Sequence, residues 1–275
     1  RSLNPHRNAL LKSLCWALVI VTTCGTIPNA DASDSVLKRP NILLLLSDDH
    51  SYPFVGCYGD ANVKTPTLDR LAAEGIKCHR YFTGAPQCVP SRACLMTGKS
   101  AVAARMTRFS SPLPRDEVAL PELLRSEGGY FTGVCGRSFH LDGSGQRGGT
   151  AVAELLARHD MKTFADRVDF LNTCPDNQVA QQVGLFLDQK PVEKPFFLWA
   201  NFSDPHHVWD APAEFRPDPA SLKLPAHWPD LPGMREQLAD YCAEVNRVDR
   251  TIAGVLDVLK QRGLLDSTLS VFTGD

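Results

Sequence analysis

The sequence predicts an α/β protein whose mostly parallel central sheet is sandwiched by helices. An unbroken apolar run at residues 42–46, and a second run at 195–202 in which only Asn201 is polar, have the composition of strands that are buried on both faces. Stretches with helical spacing of apolar residues lie between and after them, and the longest covers residues 234–263. Buried strands that alternate with amphipathic helices are typical of a parallel sheet.

Length and charge set limits on the class of protein. A chain of 275 residues suffices for one large domain or two modest ones. Its hydrophobic content of 43% and charged content of 22% are ordinary for a globular protein. The formal net charge of −2 gives no reason to expect a nucleic acid or an anionic membrane as partner. Any specificity for an anion must therefore be local.

The N-terminal 32 residues have the pattern of a secretory signal peptide. Arg1, Arg7 and Lys12 precede an apolar run at 14–21, and a small-x-small site ends at Ala32. We therefore expect an exported protein, periplasmic or secreted, with its catalytic domain over residues 33–275. The run is too short for a stable membrane span. An uncleaved anchor and a lipoprotein site at Cys24 are the alternatives.

Between residues 65 and 175 the sequence predicts five further elements in order. Thr65 and Gly75 are the start and stop signals of a helix, and an extended segment is expected at 75–83. A helix over 120–127 ends at a Gly-Gly pair, and a strand follows at 130–135. Residues 141–175 are weakly patterned and predict an insertion with one helix near 151–157.

The second half alternates helices with strands. A helix over 176–189 precedes the apolar strand at 195–202. Prolines exclude regular structure from 208–233. The long helix then precedes a last strand at 268–273.

Acidic residues follow the first predicted strand directly, in the run Ser47-Asp48-Asp49-His50. Ligands of open α/β sheets gather at the carboxyl ends of the strands. Adjacent carboxylates there are hard oxygen ligands suited to Ca²⁺ or Mg²⁺. An aspartate-rich turn without an ion is the alternative for Asp48 and Asp49.

The run Cys88-Val89-Pro90-Ser91-Arg92 places a cysteine just before a predicted helix. Pro90 suits the first turn, where its missing N–H costs nothing. Backbone N–H groups at a helix start favour negative charge near Cys88, and Arg92 lies one turn in. Seven cysteines follow the signal peptide, so at least one is unpaired or modified. Cys88 is the candidate, with a structural cysteine as the alternative.

Together with Thr97-Gly98 downstream and the helix at 65–75 upstream, this run resembles the signature of the type I sulfatases, which have an alkaline-phosphatase-like fold. The resemblance covers residues 39–275. It implies that a maturation enzyme converts Cys88 to formylglycine, whose hydrate is the nucleophile. It also implies that Asp48, Asp49, position 88 and Asp275 hold Ca²⁺, with Mg²⁺ as second choice.

Two more segments resemble strand ends of this family. In Gly136-Arg137-Ser138-Phe139-His140, Arg137 stands where lysine is usual and would hold a sulfate oxygen, while His140 would touch the nucleophile. The spacing before His140 is closest to the iduronate-sulfatase and glycosaminoglycan-sulfatase branch; an ordinary loop histidine is the alternative. His206 of Pro205-His206 would protonate the leaving oxygen. The resemblance also implies a smaller C-terminal subdomain after the last strand, so we expect this chain to be a fragment or a truncated domain.

The resemblance therefore implies hydrolysis of sulfate esters, with Cys88, Arg92, Arg137, His140 and His206 as catalytic residues and with Arg137 and His206 also binding substrate. The expected substrate is a sulfated sugar or polysaccharide. The aromatic side chains of 208–233 either stack on sugar rings or hold their own loop. The alternatives are a phosphonate or phosphodiester hydrolase with the same signature and a non-catalytic anion- or glycan-binding protein.

Overall fold

The computed structural model describes residues 39–108, 112–138, 154 and 156–275, and there it confirms the parallel α/β fold. The predicted signal peptide and His140 lie outside the described residues. The sheet has the order β3-β2-β4-β1-β5, and each pair of neighbours is parallel. Its strands are β1 (Asn41–Ser47), β2 (Phe131–Gly136), β3 (Phe170–Thr173), β4 (Phe196–Asn201) and β5 (Thr268–Gly274).

Helices cover both faces of the sheet, as predicted. They are α1 (Pro66–Glu74), α2 (Cys88–Thr97), α3 (Leu120–Ser126), α4 (Val179–Gln189) and α5 (Met234–Gln261). Alternate residues of β1 point into two separate cores, because successive strand side chains lie on opposite faces. Leu43 and Leu45 join the core that includes α4 and α5, whereas Leu44 and Leu46 join the core that includes α2.

Helix α5 fixes the start of α1 with a buried carboxylate. Asp249 accepts hydrogen bonds from the backbone N–H groups of Thr67, at 3.1 Å, and Leu68, at 2.8 Å. Thr65 occupies the N-cap position but makes no capping bond, because its hydroxyl is bonded to the Gly56 N–H and to Asp69. Asp249 thus satisfies N–H groups that a helix start leaves without internal partners.

The extended segment expected at 75–83 joins no sheet, and the sheet has one strand that was not predicted. Residues 75–83 form no strand, because the segment runs over the surface, where Ile76 and Phe82 are 93% and 82% exposed and no strand is paired with them. The weakly patterned region contains β3, which was not expected; it is only four residues long and pairs with β2 alone at the edge of the sheet.

The remaining elements agree with the sequence. The described part of 151–157 is helical, and 208–233 contains only short 3-10 turns at Ala213–Phe215 and Pro219–Ser221. In the part of the chain that the structure describes, no helix has both the length and the apolar character needed to cross a membrane.

Candidate functional site

The carboxyl ends of four neighbouring strands meet the start of α2. Asp48 and Asp49 follow β1, Asp275 follows β5, Arg137 follows β2, and the loop with His206 follows β4. Cys88 is the first residue of α2, and not the residue before it as predicted, because Gln87 has extended backbone angles and takes the N-cap position. The sheet therefore brings together every predicted site residue that the structure describes.

The acidic side chains and Cys88 form a compact group of possible metal ligands. One ligand atom from each of Asp48, Asp49, Cys88 and Asp275 lies within 4.8 Å of the others. Asp49 has a φ of 58°, a left-handed conformation that aspartate tolerates better than most residues. Its backbone N–H donates to Asp275 Oδ1 at 3.0 Å, so the turn after β1 is tied to the end of β5.

Two arginines face these carboxylates. Arg92 Nε lies 2.8 Å from Asp275 Oδ2, and its Nη2 lies 3.5 Å from Asp48 Oδ2. Arg137 Nε lies 2.6 Å from Asp48 Oδ2. The three carboxylates with these two guanidiniums carry a formal charge of −1. This donor set fits a hard divalent cation, which would offset the repulsion among the three carboxylates.

Burial shifts the pKa values of three residues at the site, Asp275, Arg137 and Cys88. It raises the pKa of the Asp275 carboxyl, against the opposing charge of Arg92, and it lowers the pKa of the Arg137 guanidinium. Burial, followed by the charge of Asp48, raises the pKa of the Cys88 thiol far above its ordinary value. A thiol in this site is therefore neutral near pH 7 and is a poor nucleophile, since the thiolate is the reactive form.

His206 approaches the group from the loop after β4. Its Nε2 lies 3.8 Å from Asp49 Oδ2, and its ring keeps some exposure to solvent, with 30% of the side chain accessible. A histidine at such a position can exchange protons both with solvent and with a molecule bound beside Asp49.

Three further side chains make structural contacts. Lys99 pairs with Glu117 at 2.6 Å. The ring of His50 is bonded to Ser47 and to the Phe54 carbonyl, and burial lowers its pKa to about 4. Trp209 donates to the Pro205 carbonyl at 2.9 Å and packs edge-on against Tyr241. Trp209 therefore holds its own loop.

Sequence reasoning missed two residues that support the site. Asn201, the buried last residue of β4, accepts from Arg92 Nη1 at 3.0 Å. Tyr241 on α5 donates to the Asp49 carbonyl at 3.2 Å and accepts from the Ser51 N–H at 3.1 Å. A polar residue at the end of an apolar strand was a readable signal for Asn201. Tyr241 had none, because it lies within the apolar stripe of its helix.

Comparison with known sequences shows matches along nearly the whole described chain. A family model described as Sulfatase matches residues 40–275. A steryl-sulfatase of Mus musculus is 36% identical over 166 residues, which are 56% of this chain and 26% of that protein. An ulvan-active sulfatase of Formosa agariphila is 29% identical over 86% of this chain and 50% of its own length. A human N-sulphoglucosamine sulphohydrolase is 27% identical over 95% and 53%.

Solved structures with the same fold include enzymes of different names. A phosphonate monoester hydrolase of Agrobacterium radiobacter aligns with a TM-score of 0.67 at 20% identity, over 86% of this chain and 62% of that one. A protein solved with D-glucosamine-2-N,6-O-disulfate aligns with a TM-score of 0.65 at 21% identity, over 86% and 65%. At these identities the likeness shows the fold alone. The chain spans about half the length, or less, of the curated relatives that it matches.

Proposed function

We propose, from the premise that this chain belongs to the sulfatase family, that the protein hydrolyses sulfate esters of a carbohydrate at the site around Cys88. The observation that carries the proposal is the convergence of three carboxylates and two guanidiniums on a cysteine at a helix start. A sulfated sugar is the favoured substrate class, because several relatives are named for sulfated saccharides. We place the catalytic domain at residues 33–275, behind an export signal.

Asp48, Asp49, Asp275 and position 88 would hold Ca²⁺, which would supply positive charge for the sulfate oxygens. Formylglycine made at position 88 by a maturation enzyme would supply, as its hydrate, one hydroxyl to attack sulfur and a second to expel sulfate. The raised pKa of the Cys88 thiol supports this modification, because the unmodified side chain is neutral and would attack slowly.

Three side chains of the protein would position charges and a proton around the bound sulfate ester. Arg92 donates a hydrogen bond to Asn201 and pairs with Asp275, and these contacts hold its guanidinium beside the acidic group. Arg137 faces Asp48 and would bind a sulfate oxygen as charge moves to the leaving group. His206 beside Asp49 would protonate the departing alcohol. The base that deprotonates the second hydroxyl would be His140 or another group.

The test begins with the full-length protein made in a host that matures sulfatases. The tryptic peptide 81–92 should carry an aldehyde in place of the Cys88 thiol. The protein should hydrolyse 4-nitrophenyl sulfate and release sulfate from a sulfated polysaccharide. A Cys88→Ala variant should lose both activities. Cys94→Ala is the matched control, because Cys94 lies on the same helix outside the acidic group.

Three other outcomes would overturn the proposal. Faster hydrolysis of a phosphonate monoester than of any sulfate ester would favour the related hydrolase class. A Cys88→Ala variant that still binds sulfated glycan, beside a wild type that hydrolyses none, would favour a binding protein. A peptide that stays wholly thiol, in a host that converts a control sulfatase, would remove the proposed nucleophile.

A further inference from the structure

The loop that carries His206 is held at both ends by carboxylates that the mechanism does not use, the partly buried Asp176 and the buried Glu244. Asp176 accepts from the Ser203 N–H at 2.7 Å and from the Asp204 N–H at 3.0 Å. Glu244 on α5 accepts from the N–H groups of Asp210, at 2.7 Å, and Ala211, at 2.6 Å. These bonds fix the two points where the loop leaves and rejoins the body of the protein.

Arg247 connects Asp204, Asp210 and Glu244 in one network of ion pairs. It pairs with both carboxylate oxygens of Asp204, at 2.7 and 2.8 Å, which is the bidentate geometry that makes arginine–carboxylate pairs strong and directional. Its Nη1 lies 2.8 Å from Asp210 Oδ1, and its Nη2 pairs with Glu244. Asp204 immediately precedes Pro205-His206, so the guanidinium reaches both sides of the short loop that presents His206.

Helix α5 also contacts Asp49, the residue that lies beside His206. Tyr241 donates to the Asp49 carbonyl at 3.2 Å, and Arg247 lies less than two turns further along α5. Because one helix holds both Asp49 and the loop of His206, the 3.8 Å separation of these two side chains depends on α5. The carboxylates of Asp204 and Glu244 are buried. A buried carboxylate without a partner costs free energy, so a cationic residue is needed between them.

We propose that Arg247 is a positioning residue, which clamps the loop at 203–211 onto α5 and so sets His206 beside Asp49. The clamp itself stands on the contacts above, and its effect on catalysis rests on the proposed function. Asp204, Glu244 and Asp210 are its anchors.

Leaving-group dependence tests the catalytic part in the full-length, matured protein. An alkyl or sugar sulfate needs protonation of its leaving oxygen, whereas 4-nitrophenyl sulfate needs little. Arg247→Met should lower kcat on the alkyl sulfate by at least about tenfold and on the nitrophenyl ester by less than about threefold, since a placed general acid contributes on the order of 10² or more. His206→Ala should show the same selectivity, and exposed Arg250→Met should change neither rate.

Hydrogen exchange tests the clamp without reference to activity. Peptides covering 203–211 should exchange faster in Arg247→Met than in the wild type or in Arg250→Met. Unchanged exchange there, or equal loss of kcat on both esters, would overturn the proposal. A wild type that cleaves neither ester would refute the proposed function, and the exchange result would then decide the clamp alone. Should Arg247→Met not fold, Arg247→Lys keeps the charge without the bidentate pair, and the same criteria apply.

Discussion

Replacing Gly136 by alanine should damage both the fold and the site. Gly136 ends β2 with a φ of 84°, and an added Cβ would lie 1.9 Å from the Asn201 carbonyl oxygen. An ordinary contact needs about 3.4 Å, so the ends of β2 and β4 would have to separate by roughly 1.5 Å. That movement breaks the bond from the Arg137 N–H to the Asn201 carbonyl, which is 3.1 Å long.

The magnitude follows from three contributions. The left-handed conformation costs a residue with a Cβ about 1–2 kcal/mol. The lost hydrogen bond adds about 1 kcal/mol. Separation of two buried strands adds to both, so we expect the free energy of unfolding to fall by at least about 3 kcal/mol. Because Arg137 and Asn201 both move, activity of the folded protein should fall by about a hundredfold, as displacements near 1 Å can cost that much.

Gly129→Ala is the matched control. Gly129 also has a positive φ, of 68°, but an added Cβ would meet only Arg39 Nη1 at 3.7 Å. It should therefore lose only the conformational contribution of about 1–2 kcal/mol. Urea unfolding of the full-length variants measures stability, and sulfate ester hydrolysis measures activity. Equal destabilisation by the two substitutions, or wild-type activity in folded Gly136→Ala, would refute the steric reasoning.

Removal of metal should destabilise the protein: EDTA should lower the Tm, and Ca²⁺ at about a hundred times its Kd should restore about 2.7 kcal/mol. Asp275→Asn should shrink that effect and exposed Asp266→Asn should not, whereas a Tm indifferent to EDTA and Ca²⁺ would contradict the proposed ion. Stability should also fall as pH rises from about 4 to 7, because burial and Asp204 raise the pKa of Glu244 to about 7 and that of Asp176 to about 6. Both carboxyls bind protons more tightly when folded, so their contribution is complete at acidic pH and is lost as pH passes their folded pKa values. Glu244→Gln should flatten this slope in urea unfolding between pH 5 and 8, and an unchanged slope would show that Glu244 is not its source.

Local patterns predicted most of the layers of the fold. The strands β1 and β4 and the helix α5 could be predicted because their apolar patterns are long and their apolar side chains are buried. The edge strand β3 could not be predicted, because a strand of four residues with one partner has too short a sequence pattern. The segment at 75–83 contains apolar residues, but Ile76 and Phe82 are exposed, and no strand of the sheet pairs with this segment.

The site was predictable where short motifs end strands or begin a helix. Asp48, Asp49, Cys88 and Asp275 are such residues, and the structure brings them together. The clamp of Arg247 was not predictable, because its pairing with Asp204 joins positions 43 residues apart, and an arginine on a helix usually reads as a solvated surface residue. The contacts of Asn201 with Arg92 and of Tyr241 with Asp49 join positions 109 and 192 residues apart, so only the folded chain shows them.

The position of β1 in the sheet has a consequence for the order of folding. Neither neighbour of β1 is local: Phe196 of β4 is bonded to Asn41 across 155 residues, and Asp275 is bonded to Asp49 across 226. Contacts between such distant residues form slowly, because the intervening loop must close first. Cys88 is also synthesised well before Asp275, because it lies earlier in the chain. Cys88 is buried in the folded protein, so the proposed maturation enzyme would have its best access to the unfinished chain.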